Sequence, residues 1–227
     1  MATRHFFITG TDTDVGKTVV AAGLIETANQ AALSTAAIKP VAAGCESTES
    51  GLQNTDALQL QAAASHPLTY QQVNPVALEA AIAPHIAATE EGKQLSASRL
   101  SGFCRGLTLL PVDMLFIEGA GGWRVPLNNR ETLADIPKQL NSEVILVVGL
   151  RLGCINHALL TAEAIRRDGL SLTGWVGNVL HADMPRLDEN IDTLKRLIPE
   201  PCLGIVPRLS DTAPNQVAAY VSLPKQR

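Results

Sequence analysis

One stretch constrains this chain more than any other: HFFITGTDTDVGKTVV, residues 5–20. An apolar run ends at Gly10, a short polar loop follows, and Gly16, Lys17 and Thr18 stand at the head of a run of helix formers. Strand, glycine loop and helix start in this order bring backbone N–H groups and a helix N-terminus to one point, which suits a phosphate. In such a P-loop, Lys17 neutralises the β- and γ-phosphates and the Thr18 hydroxyl binds Mg²⁺. Five residues separate Gly10 from Gly16, one more than the standard spacing.

Around the loop, short apolar runs alternate with helix-like stretches, the pattern of a parallel sheet covered by helices on both faces. Residues 5–10, 35–40, 113–119, 143–149, 172–179 and 202–207 read as strands, several of them apolar at consecutive positions. Residues 17–30, 54–64, 96–110, 156–167 and 186–197 read as helices. In 156–169, Leu159, Leu160, Ala164 and Ile165 share a stripe and Gly169 stops the helix. The expectation is an α/β chain: a single-domain P-loop NTPase-type three-layer fold over residues 1–227 with a mostly parallel central sheet. The longest irregular span, about 66–95 with Pro67, Pro75 and Pro84, is a candidate substrate loop.

At 227 residues, with 46% hydrophobic and 18% charged residues, the chain suits one buried core. A net charge of −4 argues against nucleic acid as the main partner. The apolar run at 144–150 is far below the ~20 residues that span a bilayer. The N-terminal residues lack a signal-peptide pattern, so a cytoplasmic protein with no membrane partner is expected. Cys45, Cys104, Cys154 and Cys202 are dispersed without a C-x-x-C pair and read as small buried residues, and the histidines show no ligand spacing.

Further candidates follow from position. Glu118 ends the strand at 113–119, which places a carboxylate at the ligand-binding edge of the sheet, and the glycines after it permit close backbone approach. Asp56 caps or begins a helix, and a carboxylate there also suits Mg²⁺. Lys39 ends the strand at 35–40 before Pro40; it either points into the cleft or snorkels outward. Gly153 to Asn156 form a second helix start, with Asn156 as cap or as donor to a carboxylate. Asn178 stands at another strand end, where an amide matches an adenine edge.

Together GTDTDVGKT, KPVAAG, NTDALQL, VNP, APHIAATEEG, IEGAGGW, VILVVGL, LGCINHALLTAEAI and GWVGN, in this order from residue 5 to about 207, resemble the dethiobiotin synthetases. The resemblance implies an ATP- and Mg²⁺-dependent ring closure on 7,8-diaminononanoate and CO₂ or bicarbonate, in a homodimer. It assigns catalysis to Lys39 and Lys17, and the metal to Thr18, Asp56 and Glu118. Thr13, Asp14, Val15 and Gly16 then surround the phosphates, while Gly119, Asn178 and Pro207 complete the nucleotide site, with Asn178 reading adenine. Lys39, Ala43, Arg151, Gly153, Cys154 and Asn156 face the substrate, whose carboxylate meets the 153–156 helix start near the subunit interface. Labile intermediates need cover from water, for which Trp123 and the 66–95 span are candidates, unless Trp123 merely packs.

Rival readings lack their own marks. A partitioning ATPase of this branch carries an extra lysine where Asp12 stands, and a small GTPase needs an N-K-x-D motif, whereas no Asn-Lys pair occurs. A cobyrinic acid synthase-type ligase adds a glutamine-hydrolysing domain, which is not expected in 227 residues. Two positions depart from the family pattern: Ala43 replaces a serine and Arg151 a lysine. A lost hydroxyl removes a hydrogen bond worth ~1 kcal/mol. Ala43→Ser should therefore leave steady-state turnover unchanged or raise it; a large loss would mean that the pocket is built around alanine.

Overall fold

Strands that are apolar at consecutive positions must find cover on both faces, and the computed structural model, which describes residues 3–225, shows how they do so. The chain opens with β1 (Arg4–Gly10), α1 (Lys17–Gln30) and β2 (Thr35–Ile38). An exposed antiparallel hairpin of β3 (Glu46–Thr48) and β4 (Gly51–Gln53) leads into α2 (Thr55–Ala63). Two short helices, α3 (Tyr70–Val73) and α4 (Pro84–Glu90), precede α5 (Ala97–Thr108) and β5 (Met114–Gly122). Next come α6 (Asp135–Leu140), β6 (Glu143–Leu150), α7 (Cys154–Arg167) and β7 (Leu172–Val179). The described chain finishes with α8 (Leu187–Leu197), β8 (Cys202–Val206) and α9 (Pro214–Ala218).

Six strands form one parallel sheet in the order β2-β5-β1-β6-β7-β8. Side-chain alternation divides its apolar residues between two cores. Phe6 and Ile8 face α1, α2 and α9 through Val20, Leu24, Leu60 and Val217. Phe7 faces the opposite layer, to which α4 to α8 contribute Ala87, Leu100, Ile136, Ala158 and Leu194. The expected three-layer α/β class is what forms, and all strand ends that carry candidate residues share one edge of the sheet.

Several local expectations need correction. The span 66–95 is not a loose loop. Thr69 and Gln72 make a capping box for α3, Pro84 starts α4, and Lys39 N donates to Val73 O at 2.8 Å while Ala42 N donates to Val76 O at 2.9 Å. Short helices and backbone pairing hold this segment against the end of β2. On α7, Ile165 is buried with Ala158 and Ala162, and Leu159 and Ala164 pack partly against the same core, but Leu160, expected in that stripe, is 58% exposed at its edge. Trp123 is buried: its Nε1 donates to Asp168 Oδ2 at 2.8 Å and its ring meets the Phe7 ring edge-on. It packs and is not a cover for the cleft. β5 runs on to Gly122, so Glu118 lies inside the strand; beyond a bulge, Gly122 still pairs with Gly10 of β1.

Cys45, Cys104 and Cys154 are buried and Cys202 is half-buried. Among the described residues, no helix is long and apolar enough to cross a membrane.

Gly23 in α1 shows how closely the layers meet. A Cβ there would lie 2.4 Å from Val217 Cγ1 and 2.9 Å from Val217 Cβ on α9. Alanine would gain ~1 kcal/mol of helix propensity, but overpacking against a branched Cβ costs about 1–3 kcal/mol. Gly23→Ala should therefore lower the midpoint of urea unfolding, by up to about 2 kcal/mol in stability.

Candidate active site

The loop between β1 and α1 is locked to the sheet edge from below. Val15 is buried, and its methyls fill the space that a Cβ on Gly10 or Gly149 would need, at 2.6 and 2.7 Å. Its side chain therefore anchors the loop, and only its backbone faces outward. Asp14 (φ 56°) and Gly16 (φ 84°) both adopt the left-handed conformation from which anion-binding backbone nests are built. Asn178 closes the loop from the side: its Nδ2 donates to Val15 O at 2.9 Å and lies 2.2 Å from where a Gly16 Cβ would stand. Any side chain at residue 16 would collide with that amide. Thr13 and Asp14 are exposed at the loop tip.

Lys17 heads α1, and its Nζ donates to Asp12 O at 3.1 Å, so the ammonium folds back over the loop. Burial pulls this amine below its ordinary value; Glu118 opposes that shift and the Lys39 charge adds to it. The second loop contact is Arg151, just beyond β6, whose Nη2 donates to Asp12 Oδ2 at 2.5 Å. Both side chains are over two-fifths exposed, so this pair contributes at most about 1 kcal/mol.

The other candidates meet in an ionic cluster. Lys39 Nζ donates to Glu118 Oε1 at 2.5 Å and to Asp56 Oδ2 at 2.6 Å, and Thr18 Oγ1 donates to Glu118 Oε1 at 3.0 Å. Lys39 thus points into the cleft and does not snorkel outward. Burial alone would pull its amine down, but the charges of Glu118 and Asp56 and hydrogen bonds to both hold it above its ordinary value. Asp56 is the second residue of α2, and the cap is Asn54, whose Oδ1 accepts from Ala57 N at 3.3 Å. Asp56 is consequently free to face the cleft. An Asn three residues before the first buried helical residue was the sequence signal for that cap.

Glu118 is 1% exposed, yet its Oε2 has no hydrogen-bond partner. A buried carboxylate oxygen without a donor has its lone pairs open to a cation or a water. Two carboxylates and a hydroxyl are hard oxygen ligands of the kind Mg²⁺ takes. Thr18, Asp56 and Glu118 therefore fit such an ion. Among the described residues, no group of three or more His, Cys, Asp or Glu side chains could hold a metal, so any ion would lean on that hydroxyl.

Gly153 is the left-handed N-cap of α7, and Asn156 lies inside the helix, exposed, so it is not the cap. Cys154 is buried and its N–H already donates to Arg151 O. Gly119 packs so tightly on Phe7 that a Cβ would lie 2.9 Å from Cζ. Pro207 follows β8, half-buried, and Ala43 offers its carbonyl to Asn54 Nδ2 at 3.5 Å.

The model of a family described as an AAA domain matches residues 4–216. An ATP-dependent dethiobiotin synthetase of Cellvibrio japonicus is 62% identical over 223 residues, covering 98% of this chain and 97% of that protein. The chain belongs to the dethiobiotin synthetase family. A second member, from Pseudomonas paraeruginosa, is 57% identical over 218 residues and covers 96% of both chains. Among solved structures, a ParA family ATPase from Chlorobium tepidum superposes with a TM-score of 0.57 at 13% identity, over 96% of this chain and 91% of that one. At that identity the likeness concerns the P-loop fold alone.

The cluster itself is testable. Lys39→Met would keep the side-chain volume but leave Glu118 facing Asp56 without a cation. Removing one member of a buried pair costs about 3 kcal/mol or more. The metal-free variant should unfold at a correspondingly lower urea concentration at pH 7.

Proposed function

We infer that this chain is an ATP-dependent dethiobiotin synthetase in biotin biosynthesis, acting as one P-loop synthetase domain over residues 1–227. The observation that carries the reading is the Lys39, Asp56, Glu118 and Thr18 cluster beside the phosphate loop, in a chain 62% identical to a protein of that name. The substrates are 7,8-diaminononanoate, CO₂ and ATP. One amine adds to CO₂ and loses a proton, giving a carbamate. A carbamate oxygen attacks the γ-phosphorus, and the bond to the ADP oxygen breaks. The second amine then attacks the carbonyl carbon and loses a proton, phosphate leaves with the bonding pair, and the ureido ring closes.

Phosphoryl transfer of this kind rests on positioning and charge. Lys17, folded over the loop, is placed to follow the β- and γ-phosphates. Lys39 presents a fixed positive charge between the two carboxylates, where it would stabilise the carbamate and the charge in flight. Thr18, Asp56 and Glu118 would hold Mg²⁺. When bound, the ion supplies charge neutralisation for the phosphate oxygens. The backbone of Thr13 to Gly16 would cradle the phosphates, with the backbone of Gly119 beside them. Asn178 already spends one amide hydrogen on the loop, which leaves its oxygen and second hydrogen for adenine, with Pro207 beside it.

The substrate tail would lie along Ala43 and Arg151 towards the α7 start at Gly153, Cys154 and Asn156. Leu152 is 94% exposed there and Leu160 is 58% exposed, which supports a homodimer contact on that face. A cytoplasmic location fits a biosynthetic enzyme of this kind.

The experiment is phosphate release with Mg²⁺ and ATP, with and without diamine and bicarbonate, followed by mass analysis. Release that requires the diamine, with a product heavier by one carbonyl less two hydrogens, is the expected result. Turnover indifferent to the diamine would overturn the reading.

A further inference from the structure

Lys39 and Asp56 come from different elements, yet their contact is 2.6 Å. The backbone at Lys39 has just left β2, where regular strand pairing ends at Ile38. Beyond the strand its N–H donates to Val73 O at 2.8 Å, and the side chain that holds its carbonyl is Asn74, 3% exposed. Its Nδ2 donates to Lys39 O at 2.7 Å and to Val76 O at 3.3 Å, so one amide group ties together the two chain segments beyond β2. Its Oδ1 accepts from the Tyr70 hydroxyl at 2.9 Å. That hydroxyl in turn accepts from Asn54 N at 2.7 Å, at the cap of the helix that carries Asp56. Burial pushes the Tyr70 phenol above its ordinary value, so it keeps the proton it donates; the bond from Asn54 opposes this in part.

These bonds close a circuit: Asp56, Asn54, Tyr70, Asn74, the Lys39 backbone, and the Lys39 ammonium back to Asp56. Each polar group in it has a partner, which is how a buried network specifies one arrangement. We propose that Asn74 and Tyr70 are positioning residues for the reaction, holding the Lys39 backbone and the Asp56 helix start at a fixed separation. The proposal rests on the assignment of Lys39 and Asp56 to the synthetase site. Its chemical content is that the Lys39 ammonium can change partners, from carboxylates to an anionic substrate, while its backbone stays in place. Without the circuit, the Lys39 backbone would keep its N–H bond to Val73 O, but its link to the start of the Asp56 helix would rest on the charged contact alone, and that is a contact which such an exchange disturbs.

Tyr70→Phe deletes the bridging hydroxyl and keeps the ring, and Asn74→Ala removes the amide. Each variant is compared with wild type by thermal unfolding, by calorimetric titration of ATP with and without Mg²⁺, and by kcat and KM with the diamine. The expected result for Tyr70→Phe is a folded protein with metal-free ATP affinity unchanged. Its half-saturating Mg²⁺ concentration should rise about 10-fold and its kcat should fall by a similar factor, the usual loss for a partner that orients a ligand side chain. Combining Tyr70→Phe with Asp56→Asn should add no further rise, since the hydroxyl acts through Asp56. Asn74→Ala should depress kcat more than Tyr70→Phe does, because it also frees the Lys39 carbonyl. A lowered unfolding temperature with unchanged Mg²⁺ dependence and kcat in Tyr70→Phe would overturn the proposal, as would additive effects in the double variant. If wild type shows no diamine-dependent turnover, the functional reading fails, and the Mg²⁺-dependent ATP titration still decides whether the circuit positions Asp56.

Discussion

A carboxylate enclosed by protein must be paired, and Glu118, 1% exposed, is the charge around which the cleft is arranged. Its partners arrive from separate elements: Thr18 from the first turn of α1 and Lys39 from the end of β2, with Asp56 reaching the same ammonium from α2. They meet because β2, β5 and β1 are adjacent and parallel, so their carboxyl-terminal sides face one way. Shifting β5 by one residue relative to β1 would turn the Glu118 side chain into the opposite core layer. The apolar packing that sets strand register and the charge pairing that builds the site are thus a single constraint.

The phosphate loop shows the same economy. Gly10, Gly16 and Gly149 are glycine because Val15 or Asn178 occupies the place of their side chains. Val15 pins the loop between two strand ends, while Asn178, from a third, holds its carbonyl. A longer loop than the standard one is therefore not a looser one.

Much of this was legible in the sequence. The sheet strands and α1 lie within a few residues of their expected places, because consecutive apolar runs and the Gly16, Lys17, Thr18 signature are strong local signals. The hairpin of β3 and β4 was missed because its residues are polar and largely exposed, so no period-2 apolar pattern marks it. The helices α3 and α4 were hidden by their length, although the Thr69 and Gln72 capping box and Pro84 were present as signals. At the site, the type of each residue was readable but its partner was not. Lys39 and Glu118 are far apart in sequence, and only strand order brings them together. Asn74 was visible as part of a family motif, but its role depends on a carbonyl 35 positions away.

The burial of the cysteines has a practical consequence. The thiolate is the form that reacts, and burial pushes the Cys104 thiol up to about 12, with Cys45 and Cys202 raised for the same reason. Cys154 is enclosed at the start of α7. Towards alkylating dyes at neutral pH the folded protein should thus behave almost as if it had no cysteine. A single cysteine placed on the exposed β3 and β4 hairpin would give one labelling position, from which distances to a labelled nucleotide could be followed without first stripping the native thiols.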